Sequence, residues 1–174
     1  MLASDKLIQK LNEQIGHELA ASHNYVAIAS YFDGEALPQL ARFFYRQSEE
    51  EREHALKFVK FIVDVGGGVV IPQIPAAHGK YGSVEEAVAQ SLESEERVTR
   101  QIYALVETAR GESNYIALRF LDWFLEEQLE EVATMTSLLQ VIRRAGPDGL
   151  LHVEDYLART GGNPPLDSAA AGAG

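Results

Sequence analysis

Between Phe44 and Val65 apolar residues recur at spacings of three and four, as on the buried face of a helix, yet a carboxylate and an imidazole occupy the middle of that face. The stripe reads Phe44, Ser48, Glu51, Ala55, Phe58, Ile62, Val65, with His54 one turn beyond Glu51. A run such as Glu49-Glu50-Glu51-Arg52-Glu53-His54 is ordinarily a solvated surface, and a single helix of this kind would be read that way. What narrows the fold is that three other stretches repeat the fault.

From about Asp5 to Phe32, Leu7, Leu11, Ile15, Tyr25, Ala29 and Phe32 share one line, which only Glu18 and Ser22 can complete. Asp33-Gly34 ends this helix, Pro38 opens the second, and Gly66-Gly67-Gly68 stops the second near Val65. A third helix follows Ser83, with Glu86 in the capping-box position. Its buried line of Val88, Leu92, Thr99, Ile102 and Val106 is broken by Glu95. The fourth, about Asn114 to Ala145, buries Leu121, Phe124, Leu125, Val132, Met135, Leu138, Leu139 and Ile142, with Gln128 and Glu131 among them.

Residues 66–83 hold Pro72, Pro75, Gly79 and Gly82 besides the three glycines and have no helical period. Extended, such a segment reaches ~55 Å, whereas a helix the length of the first spans ~42 Å. It can therefore run the length of a bundle, so that the third helix starts at the same end as the second. Gly146-Pro147 ends the fourth helix. Asp148 is expected to cap a short fifth helix to about Arg159, with Leu150, Val153, Tyr156 and Leu157 as its apolar contacts. The expected fold is all-α: a four-helix bundle with a long crossover and a short fifth helix, one domain over residues 1–160. The Gly/Ala/Pro-rich stretch 161–174 is expected to be a disordered tail.

Composition excludes several functions. The 174 residues include no cysteine, which removes disulfides, thiolate catalysis and cysteine-held zinc or iron–sulfur centres. Fifteen Lys and Arg against 26 Asp and Glu give a net charge of −11, which repels nucleic acid and anionic lipid and attracts cations. The sequence has no basic leader followed by an apolar run and no membrane-length apolar stretch, so a cytoplasmic protein without nucleic-acid or membrane partners is expected.

If the four helices pack as a bundle, Glu18, Glu51 with His54, Glu95, and Gln128 with Glu131 converge at one level of the core. Four ionised carboxylates in a low-dielectric interior would each cost several kcal/mol and would repel one another. Two divalent cations would balance that charge. Oxygen ligands with one imidazole suit iron or manganese, with zinc as a competitor.

The layout and the set Glu18, Glu51-x-x-His54, Glu95 and Gln128-x-x-Glu131 resemble the non-haem bacterial ferritins over about residues 5 to 160. The resemblance implies that Glu18, Glu51 and His54 hold one iron and Glu51, Glu95 and Glu131 a second, with Glu51 bridging. Gln128 would be a hydrogen-bonding neighbour, and Tyr25 would stand near the irons and help reduce oxygen. Glu50, Glu127 and Glu130 match a further iron position of some members. The implied activity is a ferroxidase that oxidises Fe2+ with dioxygen or peroxide and stores ferric mineral in a hollow homo-oligomer of 24 subunits.

Departures from neighbouring families sharpen this. Bacterioferritins carry a second Glu-x-x-His where this chain has Gln128-x-x-Glu131, and their haem-ligating methionine falls at Arg52, so no haem is expected. Rubrerythrins need a cysteine-held iron. DNA-protecting mini-ferritins build their site across two subunits and lack the fifth helix. The acidic channel residues of animal ferritins fall near Leu118 and Leu121, leaving Glu112 and Asp122 as nearby candidates for an iron route. A di-iron oxygenase or peroxidase that stores no iron, and a partner-binding bundle with a structural metal, share the same side chains. Apolar Val26 and Tyr31 on outer faces point to self-association.

Overall fold

Helix boundaries fall where a side chain takes up the first free amide hydrogens. In the computed structural model, which describes residues 2–162, Ser4 Oγ accepts from Leu7 N–H at 3.1 Å and α1 runs Asp5–Gly34. Helix α3, Val84–Gly111, starts from Ser83, whose Oγ accepts from Glu86 N–H at 3.1 Å. The Glu86 carboxylate returns a bond to Gly82 N–H at 2.7 Å, one residue ahead of the cap. Asn114 Oδ1 accepts from Ala117 N–H at 3.0 Å and opens α4, Tyr115–Ala145.

Helix α2, Pro38–Asp64, has no capping side chain of its own. Its first amides are taken instead by Glu154, whose two carboxylate oxygens accept from Gln39 N–H at 2.8 Å and Leu40 N–H at 3.0 Å. Glu154 lies on α5, Leu150–Thr160. The expected cap of that helix is corrected: Asp148 sits inside a 3-10 turn, Pro147–Gly149, and α5 begins from Gly149 with no side-chain cap. The cause is Gly146, whose left-handed φ of 67° turns the chain so that Pro147 starts a tight turn before the helix proper. Of the tail expected from Gly161 onward, Gly161 and Gly162 form the turn closing α5, and residues 163–174 lie outside the described residues.

Helices α1 and α2 form one antiparallel pair and α3 and α4 the other. The backbone amide of Leu2 bonds Val65 O at 2.8 Å, and Arg143 Nε reaches Glu85 Oε1 at 2.7 Å. The crossover climbs α1 from start to end. Asn12 donates to Gly68 O at 2.9 Å and accepts from Val70 N–H at 2.8 Å; further on, His78 N–H bonds Asn24 Oδ1 at 3.3 Å and the Tyr81 ring lies 5.3 Å from that of Tyr31. Gly16 allows this path, because a Cβ there would stand 2.5 Å from Pro72 Cγ. Helix α3 accordingly begins beside the start of α2, with Val84 and Val88 packed in one cluster with Leu37 and Leu40.

The core is two apolar blocks. One gathers Leu7, Leu11, Ile15, Phe58, Ile62, Ile102, Leu121 and Phe124. The other gathers Tyr25, Phe32, Phe44, Val88, Met135 and Leu138, closed by Val153 and Leu157 of α5. Between them lies a layer of buried polar side chains. Leu92, Thr99, Leu125 and Val132, expected on the buried lines, are half-buried. Val26 is exposed as expected, whereas Tyr31 is half-buried against Phe32 and Tyr81. Among the described residues no helix is long and apolar enough to cross a membrane.

Candidate metal centre

The polar layer is built by one turn from each of the four long helices. Glu18 of α1, Glu51 and His54 of α2, Glu95 of α3, and Gln128 and Glu131 of α4 are all buried, Glu95 completely. Glu18, Glu51 and His54 bring one donor atom each within 4.8 Å of the others. His54 Nδ1 stands 3.4 Å from Glu51 Oε2, and neither atom has a hydrogen-bond partner. Glu18 Oε2 is likewise unpartnered, while its Oε1 accepts from Gln14 Nε2 at 2.9 Å. Three unpartnered buried donor atoms converging on one space are costly unless something occupies it.

Glu95 stands differently. It joins neither of the groups of side chains that could hold a metal ion among the described residues. One oxygen accepts the Tyr25 hydroxyl, and the other faces Gln128 Nε2 at 3.5 Å. Glu131 groups with His54 and Glu127, whose donor atoms also lie within 4.8 Å of one another, and His54 Nε2 is 3.6 Å from Glu127 Oε1. The set Glu51, Glu95 and Glu131, expected to hold a second ion, is therefore present in one layer but not drawn together.

Electrostatics explain that posture. Burial, and then the charge of Glu95 and Glu18, pushes Glu51 well above the ordinary carboxylate range. Burial and the charge of Glu95 do the same to Glu131. Burial lifts Glu95 to about 7, against the lowering effect of the Tyr25 hydrogen bond. Tyr25 itself is raised by burial and by the facing carboxylates. Burial holds the His54 imidazole below its ordinary value and outweighs the pull of Glu18 and Glu127, which favours its neutral form. Without cations the layer keeps protons; two divalent ions would supply four positive charges to four carboxylates and release those protons. The donor set, oxygen-rich with one imidazole and no sulfur, fits iron.

The weaker trio is more open. Glu50 is half-buried, its carboxyl raised by burial although Arg46 and its hydrogen bond to Gln47 oppose the rise. Glu127 is half-buried beside His54, and Glu130 is exposed. Leu121, at a family channel position, is buried in the core; of the candidates for an iron route, Glu112 accepts from Ser4 Oγ at 2.8 Å and Asp122 lies 3.8 Å from Arg119. The sequence reading passed over Gln14, a polar residue one turn before Glu18 on the same buried line, which is the signal that marks it. It also passed over Trp123, whose ring meets His54 edge-on at 5.4 Å; nothing in the spacing singles it out.

A family model described as a ferritin-like domain matches residues 8–145. Ferritin BfrB of Mycolicibacterium smegmatis is 42% identical over 167 residues, covering 94% of this chain and 92% of that protein. A bacterial non-heme ferritin of Staphylococcus aureus is 37% identical over 147 residues, 84% of this chain and 89% of that protein. Among solved structures, an open pore ferritin from the archaeon Archaeoglobus fulgidus superposes with a TM-score of 0.88 at 31% identity, over 90% of this chain and 97% of that one.

Proposed function

The chain belongs to the ferritin family, among its non-haem bacterial members, and we propose that it stores iron by oxidising Fe2+ at the buried four-carboxylate layer. One observation carries the assignment of the site: Glu18, Glu51 and His54 bring ligand atoms within 4.8 Å of one another, and each has a buried side-chain atom without a hydrogen-bond partner. Glu18, Glu51 and His54 receive the first Fe2+. Glu51 would be shared with the second Fe2+, joined by Glu131 and by Glu95, which leaves the Tyr25 hydroxyl while Gln128 keeps its other oxygen.

The residues make a two-electron oxidation local. Two Fe2+ sharing the Glu51 carboxylate would each give one electron to the same dioxygen, taking it to the peroxide level, so superoxide need not escape. Protons displaced from Glu51, Glu95 and Glu131 on binding leave a neutral assembly of four carboxylates and two cations. Neutral His54 keeps that balance. Ferric product then passes to a mineral held in a hollow homo-oligomer, 24 subunits being the number the family resemblance implies. Exposed Leu56, Val63, Tyr115, Ile116, Leu129 and Leu151 supply apolar surface for subunit contacts.

Aerobic addition of excess Fe2+ tests this reading. Soluble ferric product should accumulate far beyond the about two ions that a bundle site holds. Uptake that stops near two would make the protein a di-iron oxygenase or peroxidase that stores nothing.

A further inference from the structure

Thr99 lies one turn after Glu95 on α3, half-buried, and its Oγ1 is 2.9 Å from Gln128 Oε1 on α4. The same oxygen is 2.9 Å from the backbone carbonyl of Glu95. One hydroxyl carries one proton and can serve only one of these acceptors at a time.

The far end of the Gln128 amide decides which. To bind a cation Glu95 has to be ionised, and an ionised carboxylate has no proton to give. The group facing Glu95 Oε2 at 3.5 Å must then be the NH2 of Gln128. Its Oε1 is thereby turned to Thr99, the one donor it meets among the described residues. Were the hydroxyl to turn to the backbone, it would set oxygen against oxygen, and the amide would flip to present its oxygen to the Glu95 carboxylate.

We propose that Thr99 is a positioning residue for the metal centre, its hydroxyl locking Gln128 with the NH2 toward Glu95 and so tuning the binding of the second cation. The proposal rests on the two-cation reading of the centre. The first cation's ligands, Glu18, Glu51 and His54, are already together and, among the described residues, share no hydrogen bond with this clasp, so the second step is the one that depends on it.

Calorimetric titration of the metal-free full-length protein with Co2+, which dioxygen does not oxidise at such a site, reads the two steps separately. Thr99→Val keeps the side-chain shape and removes the hydroxyl. The second step should weaken about 10-fold, as for other groups that orient a ligand, with the first step unchanged within about twofold. Thr99→Ser should restore it, and Thr99→Val should add nothing in a Gln128→Ala background. If valine disturbs helix content by circular dichroism, Thr99→Ala gives the same readout. An unchanged second step, failure of serine to restore it, or a full further loss on top of Gln128→Ala would overturn the proposal. Fewer than two Co2+ per subunit in the unsubstituted protein would overturn the two-cation reading as well.

Discussion

Glu51 feels the charge of Glu95, Glu18 and Glu131 at once, one carboxylate from each of the other three long helices. On the two-iron reading each of Glu51→Ala and His54→Ala removes a ligand and not only its support, and should lower the initial rate of Fe2+ oxidation by at least about 100-fold. Both should stay folded, because a buried carboxylate or imidazole without its cation is itself a cost. Unchanged stopped-flow rates in both would remove the layer from the chemistry. Tyr25 offers a finer test. Its hydrogen bond holds the pKa of Glu95 down, so Tyr25→Phe should let that pKa rise further. The pH profile of oxidation should then move to higher pH, with a loss of about 5-fold near pH 6 and less near pH 8, the size expected for one hydrogen bond to a charged group. A profile that does not move would leave Tyr25 as a core aromatic.

At the scale of elements, α5 does more than close the apolar block of Tyr25, Phe32 and Phe44. Glu154 supplies the cap that α2 lacks, from a position 115 residues further along the chain. Glu154→Ala should cost about 1–3 kcal/mol, because it strips two amides of a charged acceptor at a helix start. Denaturant unfolding measures that loss, and a change below about 0.5 kcal/mol, the size of an ordinary surface substitution, would show that water replaces the carboxylate. The crossover depends on a close approach in the same way. Gly16→Val would drive a side chain into the Pro72 ring and lift the segment off α1, lowering stability by about 1–3 kcal/mol as overpacked sites do.

For the whole molecule, the polar layer divides the core, and its protons tie stability to pH. Glu51, Glu95 and Glu131 have folded-state pKa values above those of the unfolded chain. Their contribution is full below the ordinary carboxylate pKa of about 4.3 and is lost as pH rises through the folded values, about 7 for Glu95. His54 works the other way: its lowered pKa contributes stability above about 6.5 that is lost as pH falls through the folded value. Three carboxylates outweigh one imidazole. Metal-free protein should therefore unfold at lower temperature at pH 7.5 than at pH 5.5, and a divalent cation at about 100 times its Kd should recover about 2.7 kcal/mol at the higher pH. Thermal scans at both pH values check this, and a cation effect as large at pH 5.5 would show that protons and cations do not compete for the layer.

Much of this was legible in the order of residues. Helical periodicity is local, so the four long helices and their buried faces follow from spacings of three and four. A carboxylate on such a face stands out because burying it is expensive; Glu18, Glu51, Glu95 and Glu131 are conspicuous for that reason. Tertiary structure alone decided how those side chains spend their bonds. Glu95 turns to Tyr25 and Gln128, Glu131 stands within 4.8 Å of His54 and Glu127, and Glu154 caps a helix that no local pattern connects to it. The physical reason is that a side chain's direction follows its hydrogen-bond partners and the surrounding charge, and those come from other helices. Periodicity places a residue on a face, and only packing tells it which neighbour it meets.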